Sequence, residues 1–232
     1  SRRLHTRYIG DWSSDVCSSD LLMNTLPSLS TNQARKISRF IVDCDPAFEK
    51  VISKSSLCPI GIESNDESHF YSLATSILSQ QLSTKAAATI IQRVEKVARG
   101  ITPRKISRLT SAQLREAGAS GAKVRSLVEL SDVFLDKKSP VHRLHELTDD
   151  EIEEVLLPLF GVGRWTIEMF MMFKLGRVDV WPVGDLGVRR GWEKIHRLRS
   201  EITPKKLQLS GEKFSPYRSH VAWYCWRAIE LL

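Results

Sequence analysis

Leu156–Arg190, LLPLFGVGRWTIEMFMMFKLGRVDVWPVGDLGVRR, is the stretch around which the rest of this 232-residue chain is arranged. It reads as a short helix, a tight turn at Gly161-Val162-Gly163, a second helix, a loop, and one acid, Asp185, opening a third helix. Pro158 ends the first helix, because proline has no N–H and restricts the residue before it. Gly161 and Gly163 admit positive φ and let another backbone approach with no Cβ in the way. Arg164–Phe173 then has helical spacing, which predicts Trp165, Met169 and Met172 on one face. A helix leaving a glycine turn presents unpaired N–H groups at its positive end, a place for an anion. With Arg164 beside it, the natural anion is a phosphate. A glycine turn before a helix also occurs for steric reasons alone, so the turn by itself leaves both readings open.

Charge favours the first of them. The formal net charge is +7, with a pI near 9.3. From Leu186 to Leu232 there are ten Lys/Arg against four Asp/Glu, and seven of those ten lie between Arg189 and Lys206. A basic run can be a solvated surface; beside a candidate phosphate-binding turn it points to nucleic acid.

The remaining composition mostly excludes. Cys17, Cys44, Cys58 and Cys225 have neither CxxC spacing nor a histidine at zinc-site distance, and read as thiols in a reducing compartment. No apolar run approaches the roughly 20 residues needed to cross a bilayer, and no secretory h-region is evident. The expectation is a soluble, cytoplasmic protein without a membrane partner, nucleoid-associated in a bacterium or nuclear in a eukaryote.

Residues 1–22 are set apart from the fold. Asp11–Leu21, DWSSDVCSSDL, has no periodicity and resembles the conceptual translation of a sequencing-adapter oligonucleotide; the alternative is an ordinary disordered tail. On the first reading Met23 is the first native residue. The tail holds three arginines and three aspartates, so the charge argument survives its removal.

Downstream, Thr31 is placed to cap a helix from Asn32 to about Cys44, with Ile37, Phe40 and Ile41 as its apolar stripe. Asn65 or Asp66 starts a helix with Phe70, Leu73, Ala74, Ile77 and Leu78 as its core stripe. It runs into Ser79-Gln80-Gln81-Leu82-Ser83, and Ser83 caps Thr84–Ala98. Thr102-Pro103 and Thr110-Ser111 read as helix starts. Ala122–Leu135 follows, with Val124, Leu127, Val128 and Leu130 inside and Lys123 and Arg125 near its beginning. Thr148-Asp149-Asp150-Glu151 is a capping signal before Ile152–Leu157. After Asp185 come helices at Leu186–Ile195, Thr203–Leu207 and Pro216–Leu231. No segment alternates like a strand. The fold expected is all-α: two helical lobes with a cleft between them, Gln80-Gln81 on one wall, the hairpin and Asp185 on the other.

LFGVGRWT followed by DVWPVGDLGVRRG resembles the helix-hairpin-helix and Gly/Pro-rich loop with aspartate of the helix-hairpin-helix DNA glycosylases, nearest to the alkylation-repair 3-methyladenine group. ILSQQLSTKAA (Ile77–Ala87) and SPYRSHVAWYCWRA (Ser215–Ala228) extend the likeness over about Gln33–Leu232, so residues 23–232 read as one such domain. The resemblance implies one partner, double-stranded DNA with alkylated bases, and a monomeric enzyme of base excision repair that flips an alkylated purine out of the duplex and hydrolyses its N-glycosidic bond.

By the same likeness, Asp185 is the catalytic carboxylate, although an aspartate opening a helix is also an ordinary N-cap. Trp165, Met169 and Trp226 line the base pocket, where electron-rich rings attract a cationic base. Gln81 and Leu82 form the wedge that enters through the minor groove and fills the gap left by the extruded nucleotide. Gly161, Val162, Gly163, Arg164 and Thr166 grip backbone phosphate. The carbonyls of Leu157, Leu159 and Val162 would hold a monovalent cation, Na+ or K+; no cofactor is required, and no iron–sulfur cluster is expected without its cysteine spacing. Trp165 stands near the place where strand-cutting relatives carry a Schiff-base lysine, which implies a monofunctional enzyme. Gly184 replaces a second acid found in some members, and the N-terminal β-rich domain of larger bacterial members is not expected. The alternative is a non-catalytic helix-hairpin-helix DNA-binding protein.

Overall fold

The computed structural model describes residues 29–62 and 66–232, and every regular element among them is helical. The expectations for residues 1–22, including Cys17, together with Met23 and a helix start at Asn65, fall outside the described residues. The helices are α1 (Thr31–Cys44), α2 (Glu49–Lys54), α3 (His69–Ser79), α4 (Thr84–Ala98), α5 (Pro103–Ile106), α6 (Ser111–Glu116), α7 (Gly121–Leu135), α8 (Asp149–Leu156), α9 (Arg164–Phe173), α10 (Leu186–Ile195), α11 (Pro204–Gly211) and α12 (Arg218–Leu231), with short 3-10 turns at Pro46–Phe48, Pro140–Arg143 and Glu212–Phe214.

Local chemistry accounts for most of the starts. Side-chain oxygens of Ser68, Ser83, Thr102, Ser120, Asp185 and Thr203 each accept an N–H from the first turn of the following helix, satisfying a donor the helix leaves unpaired. Ser30 with Gln33, Thr110 with Gln113 and Thr148 with Glu151 complete reciprocal capping boxes. Two caps differ from expectation: Ser30, not Thr31, caps α1, and Ser68, not Asn65 or Asp66, caps α3. In both cases the serine hydroxyl sits three residues before the N–H that it accepts, and several polar residues in a row gave no way to choose among them. The described residues form two compact units.

The first unit covers Glu67–Thr166. Its core takes Phe70, Leu73, Ala74, Ile77 and Leu78 from α3, all buried as their spacing requires, with Leu114 from α6 and Val124, Leu127 and Leu130 from α7. Val128, expected inside, is 37% exposed.

The second unit comprises the described residues up to Asp66 together with Ile167–Leu232. Phe48, Trp192 and Phe214 meet edge to face at its centre, with centroids 5.5–6.1 Å apart. Helices α10 and α12 pack so closely that a Cβ on Gly191 would lie 1.9 Å from the Cys225 carbonyl oxygen. The Ser38 hydroxyl and the Tyr224 phenol hydrogen-bond at 2.8 Å, joining α1 to α12. Cys44, Cys58 and Cys225 are in no disulfide. Among the described residues no helix is long and apolar enough to cross a membrane.

Candidate active site

In the first unit, the hairpin and the polar break after α3 are built on one face of α7. Gly161 has φ +79°, and a Cβ there would fall 2.2 Å from the Ser126 hydroxyl oxygen. Both facts demand glycine. Gly163 needs neither: its φ is ordinary and the space around it is open. The turn therefore depends on Gly161 alone. The Phe160 N–H donates to Glu129 Oε1 at 2.9 Å, and the Arg125 guanidinium lies 3.8 Å over the Phe160 ring.

Two side chains join the α3 break to this assembly. Gln80 spends both amide hydrogens across the hairpin, donating to the Gly161 carbonyl at 2.9 Å and to Thr166 Oγ1 at 3.1 Å. Lys123 turns its ammonium inward to the carbonyls of Leu78 (2.7 Å) and Gln80 (2.9 Å), and burial holds its pKa below the ordinary lysine value. At the tip, Gln81 is exposed with φ +59°, a region that costs a non-glycine residue energy. Leu82 is 39% exposed.

Several expected phosphate contacts are redirected. Thr166 is 2% exposed, with its hydroxyl accepting Gln80, so it serves the interior. The Val162 side chain is buried and its N–H donates to the Leu159 carbonyl at 3.1 Å. Arg164 pairs with Glu153 at 2.7 Å while 66% of its side chain stays exposed, the kind of surface pair worth about 0–1 kcal/mol and readily exchanged. Gly163 is exposed.

Of the expected pocket residues, Trp165 lies in the first unit and is 46% exposed. Trp165, Met169 and Met172 do share a face of α9, as positions i, i+4 and i+7 of a helix must, but not one environment: Trp165 is exposed, Met169 half-buried and Met172 buried. Met169, half-buried, belongs with Trp226 and Asp185 to the second unit.

Asp185 is the N-cap of α10, half-buried, and its Oδ1 accepts two donors: the Val188 N–H at 2.7 Å and the Trp226 indole N–H at 2.9 Å. Trp226 is stacked on Phe173, with centroids 5.8 Å apart and planes 29° from parallel. Gly187 makes this possible. A Cβ there would meet Trp226 Cδ1 at 2.8 Å, and Asp185 Oδ1 and Trp226 Nε1 at 3.0 Å each. Gly184, by contrast, has open space around it.

The loop that delivers Asp185 is fastened to the start of α12. Ser219 Oγ accepts the Val180 N–H at 2.9 Å and donates to the Arg177 carbonyl at 2.8 Å. Asp179 accepts a bidentate pair from Arg218, both at 2.8 Å, and the Ser215 hydroxyl at 2.9 Å. Burial works against the ionised Asp179, but the Arg218 and Ser215 hydrogen bonds and the Arg218 charge outweigh it and hold its carboxyl below the usual range. Trp181 donates its indole N–H to the Leu207 carbonyl at 3.0 Å.

Gly187, Phe173 and the Asp179–Arg218 clamp are absent from the sequence reading. The Gly187/Gly191 spacing of four on a helix was the available signal, since it marks a glycine face on which another element can press closely. Among the described residues no group of three or more His, Cys, Asp or Glu could hold a metal ion.

A DNA-3-methyladenine glycosylase 1 of Schizosaccharomyces pombe is 33% identical over 163 residues, 68% of this chain and 72% of that protein. The 3-methyladenine DNA glycosylase Mag1 of that organism, solved in complex with abasic DNA, superposes with a TM-score of 0.74 at 28% identity over 82% of this chain and 95% of that one. A DNA-3-methyladenine glycosidase from Bacillus halodurans gives 0.72 at 31% identity, covering 83% and 88%. Residues 74–216 match a family of base excision DNA repair proteins, and with these likenesses beside the geometry, the chain belongs to the HhH-GPD superfamily.

Proposed function

We propose that this chain is a monofunctional DNA glycosylase that binds double-stranded DNA, turns an alkylated purine of the 3-methyladenine type out of the helix and hydrolyses its N-glycosidic bond. The observation that carries the reading is the Asp185 carboxylate, anchored through Oδ1 by a backbone N–H and an indole N–H. Breaking the C1′–N bond sends its electron pair to the base nitrogen and leaves positive charge on the sugar. An oriented carboxylate stabilises that charge and can take a proton from the attacking water. An alkylated purine is already cationic, so it leaves with little acid catalysis, and stacked rings such as Trp226 on Phe173 suit its recognition. Trp165 and Met169 are proposed to contribute to base selection, Gln81 and Leu82 to act as the wedge, and the exposed turn at Gly161, Gly163 and Arg164 to receive phosphate.

Trp165 has no amine with which to form a Schiff base, which supports simple hydrolysis to an abasic site. The carbonyls of Leu157, Leu159 and Val162 are proposed to hold a monovalent cation, Na+ or K+; Leu159 would use the lone pair left by the Val162 N–H. No further cofactor enters the proposal, and the protein is taken to act as a monomer wherever the cell keeps its DNA.

The test is base release. Purified protein should free 3-methyladenine from methylated duplex DNA, and Asp185→Asn should bind the same DNA while releasing almost none. Wild-type protein that binds DNA and releases no base from a panel of lesions would instead be a binding protein that has kept the hairpin without the chemistry. Borohydride trapping of a covalent adduct would remove the monofunctional assignment.

A further inference from the structure

We propose that Lys123 and Gln80 are positioning residues that lock the Gln81 wedge to the hairpin, so that gripping phosphate and opening the base pair are mechanically one event; this rests on the reading of Gln81 as the wedge. The lock has two parts, both within the first unit. The C-terminal end of α3 leaves carbonyls without helical partners and carries the negative end of the helix dipole. Lys123 meets that end with a half-buried ammonium shared between the Leu78 and Gln80 carbonyls. Gln80 then reaches the hairpin through both amide hydrogens. Gln81, next in the chain, is held at φ +59° with its side chain exposed.

A non-glycine residue persists in that region when its surroundings over-determine it. Here the Gln80 residue preceding it is fixed by its carbonyl and by its side chain at once. Extruding a base costs a few kcal/mol, which a plug offsets only if it is rigid when it enters. A loosely tethered glutamine would lose conformational freedom on insertion and return less. Because Gly161 is itself wedged against Ser126, the wedge, the turn and α7 form one stiff assembly.

The experiment compares single-turnover release of 3-methyladenine from a dimethyl sulfate-treated strand containing one adenine, annealed to a complement bearing either thymine or an abasic site opposite it. Lys123→Met keeps the apolar stem and removes both ammonium bonds. The expected result is a rate about tenfold lower on the thymine-paired duplex, little change opposite the abasic site, where no pair must be broken, and recovery in Lys123→Arg. Adding Lys123→Met to Gln81→Ala should cost nothing more, because the lysine acts through the glutamine. Equal loss on both substrates, or full additivity with Gln81→Ala, overturns the proposal. If Lys123→Met does not fold, Gln80→Ala carries the same comparison. The Asp185→Asn protein supplies a readout without chemistry: fluorescence of 2-aminopurine placed opposite the lesion should rise on binding and stay low when Lys123→Met is added. A protein that unstacks the probe in this way but releases no base from any lesion would refute the glycosylase reading while leaving the lock intact; an unaltered signal in the double variant refutes the lock.

Discussion

Gly187→Ala should leave a folded protein that has lost most of its catalysis. Glycine inside α10 costs helix stability, and alanine would restore about 1 kcal/mol. The new Cβ, however, would stand 2.8 Å from Trp226 Cδ1 and 3.0 Å from both Asp185 Oδ1 and Trp226 Nε1, where ordinary contact begins at 3.4 Å. Relief requires the indole to retreat by roughly 0.6 Å, and the carboxylate oxygen by some 0.4 Å. Such crowding of a packed site costs on the order of 1–3 kcal/mol, so the helix gain offsets only part of the strain, and a net loss of about 0–2 kcal/mol should lower the melting temperature by less than about 8 °C. Catalysis has no such offset. The 2.9 Å bond from Trp226 to Asp185 would be stretched or re-aimed, and a hydrogen bond to a charged group contributes about 1.5–3 kcal/mol. Lost in the transition state alone, that is roughly 10- to 100-fold in rate. Single-turnover base release with saturating enzyme measures it, alongside DNA affinity in the Asp185→Asn background, which should be unchanged. A Gly187→Ala protein that releases base at the wild-type rate would refute the claim that the indole and the carboxylate are held by the room glycine leaves.

The other expectations concern stability and binding. Trp226→Phe keeps the ring stacked on Phe173 but removes the indole donor; base release should fall at saturating DNA while affinity holds, and a fall in affinity alone would show that Trp226 acts only as a pocket wall. Arg218→Met breaks the clamp on Asp179, whose partner side chains are 25% and 28% exposed, and should lower stability by about 1–3 kcal/mol in denaturant titration. Burial pushes His220 down to about 4 from an ordinary 6.5, so between those pH values the unfolded chain binds more protons than the folded one. The neutral imidazole's contribution is therefore complete above pH 6.5 and disappears as pH falls to 4, on the order of 3 kcal/mol; His220→Phe should flatten that limb in thermal melts. Asp45 and Asp179, both held low, lose their stabilisation at more acidic pH still, which keeps the His220 limb separable. Arg190, Lys194, Arg197, Arg199, Lys205 and Lys206 are all exposed, so if they contact phosphate, affinity for duplex DNA should drop steeply with salt; a flat response would exclude them.

What the sequence determined by itself is what neighbouring residues decide together. Ser83, Thr102, Thr110 and Thr148 announce their helices because a cap and the N–H it accepts lie three residues apart, and the α3 stripe announces its buried face because a helix repeats every 3.6 residues. Asp185 was legible for the same reason: opening a helix and following a Gly/Pro loop are local properties. Tertiary structure alone decided which polar groups look inward. Thr166 reads as a phosphate contact and Lys123 as a basic residue near the start of its helix, yet each is claimed by Gln80 or the end of α3, 43 to 86 positions away. Gly187 is helix-compatible in sequence and becomes indispensable only when α12 lays Trp226 against it, 39 residues later. Burial and close approach are set by partners that the chain brings from a distance, and no local pattern encodes where those partners arrive.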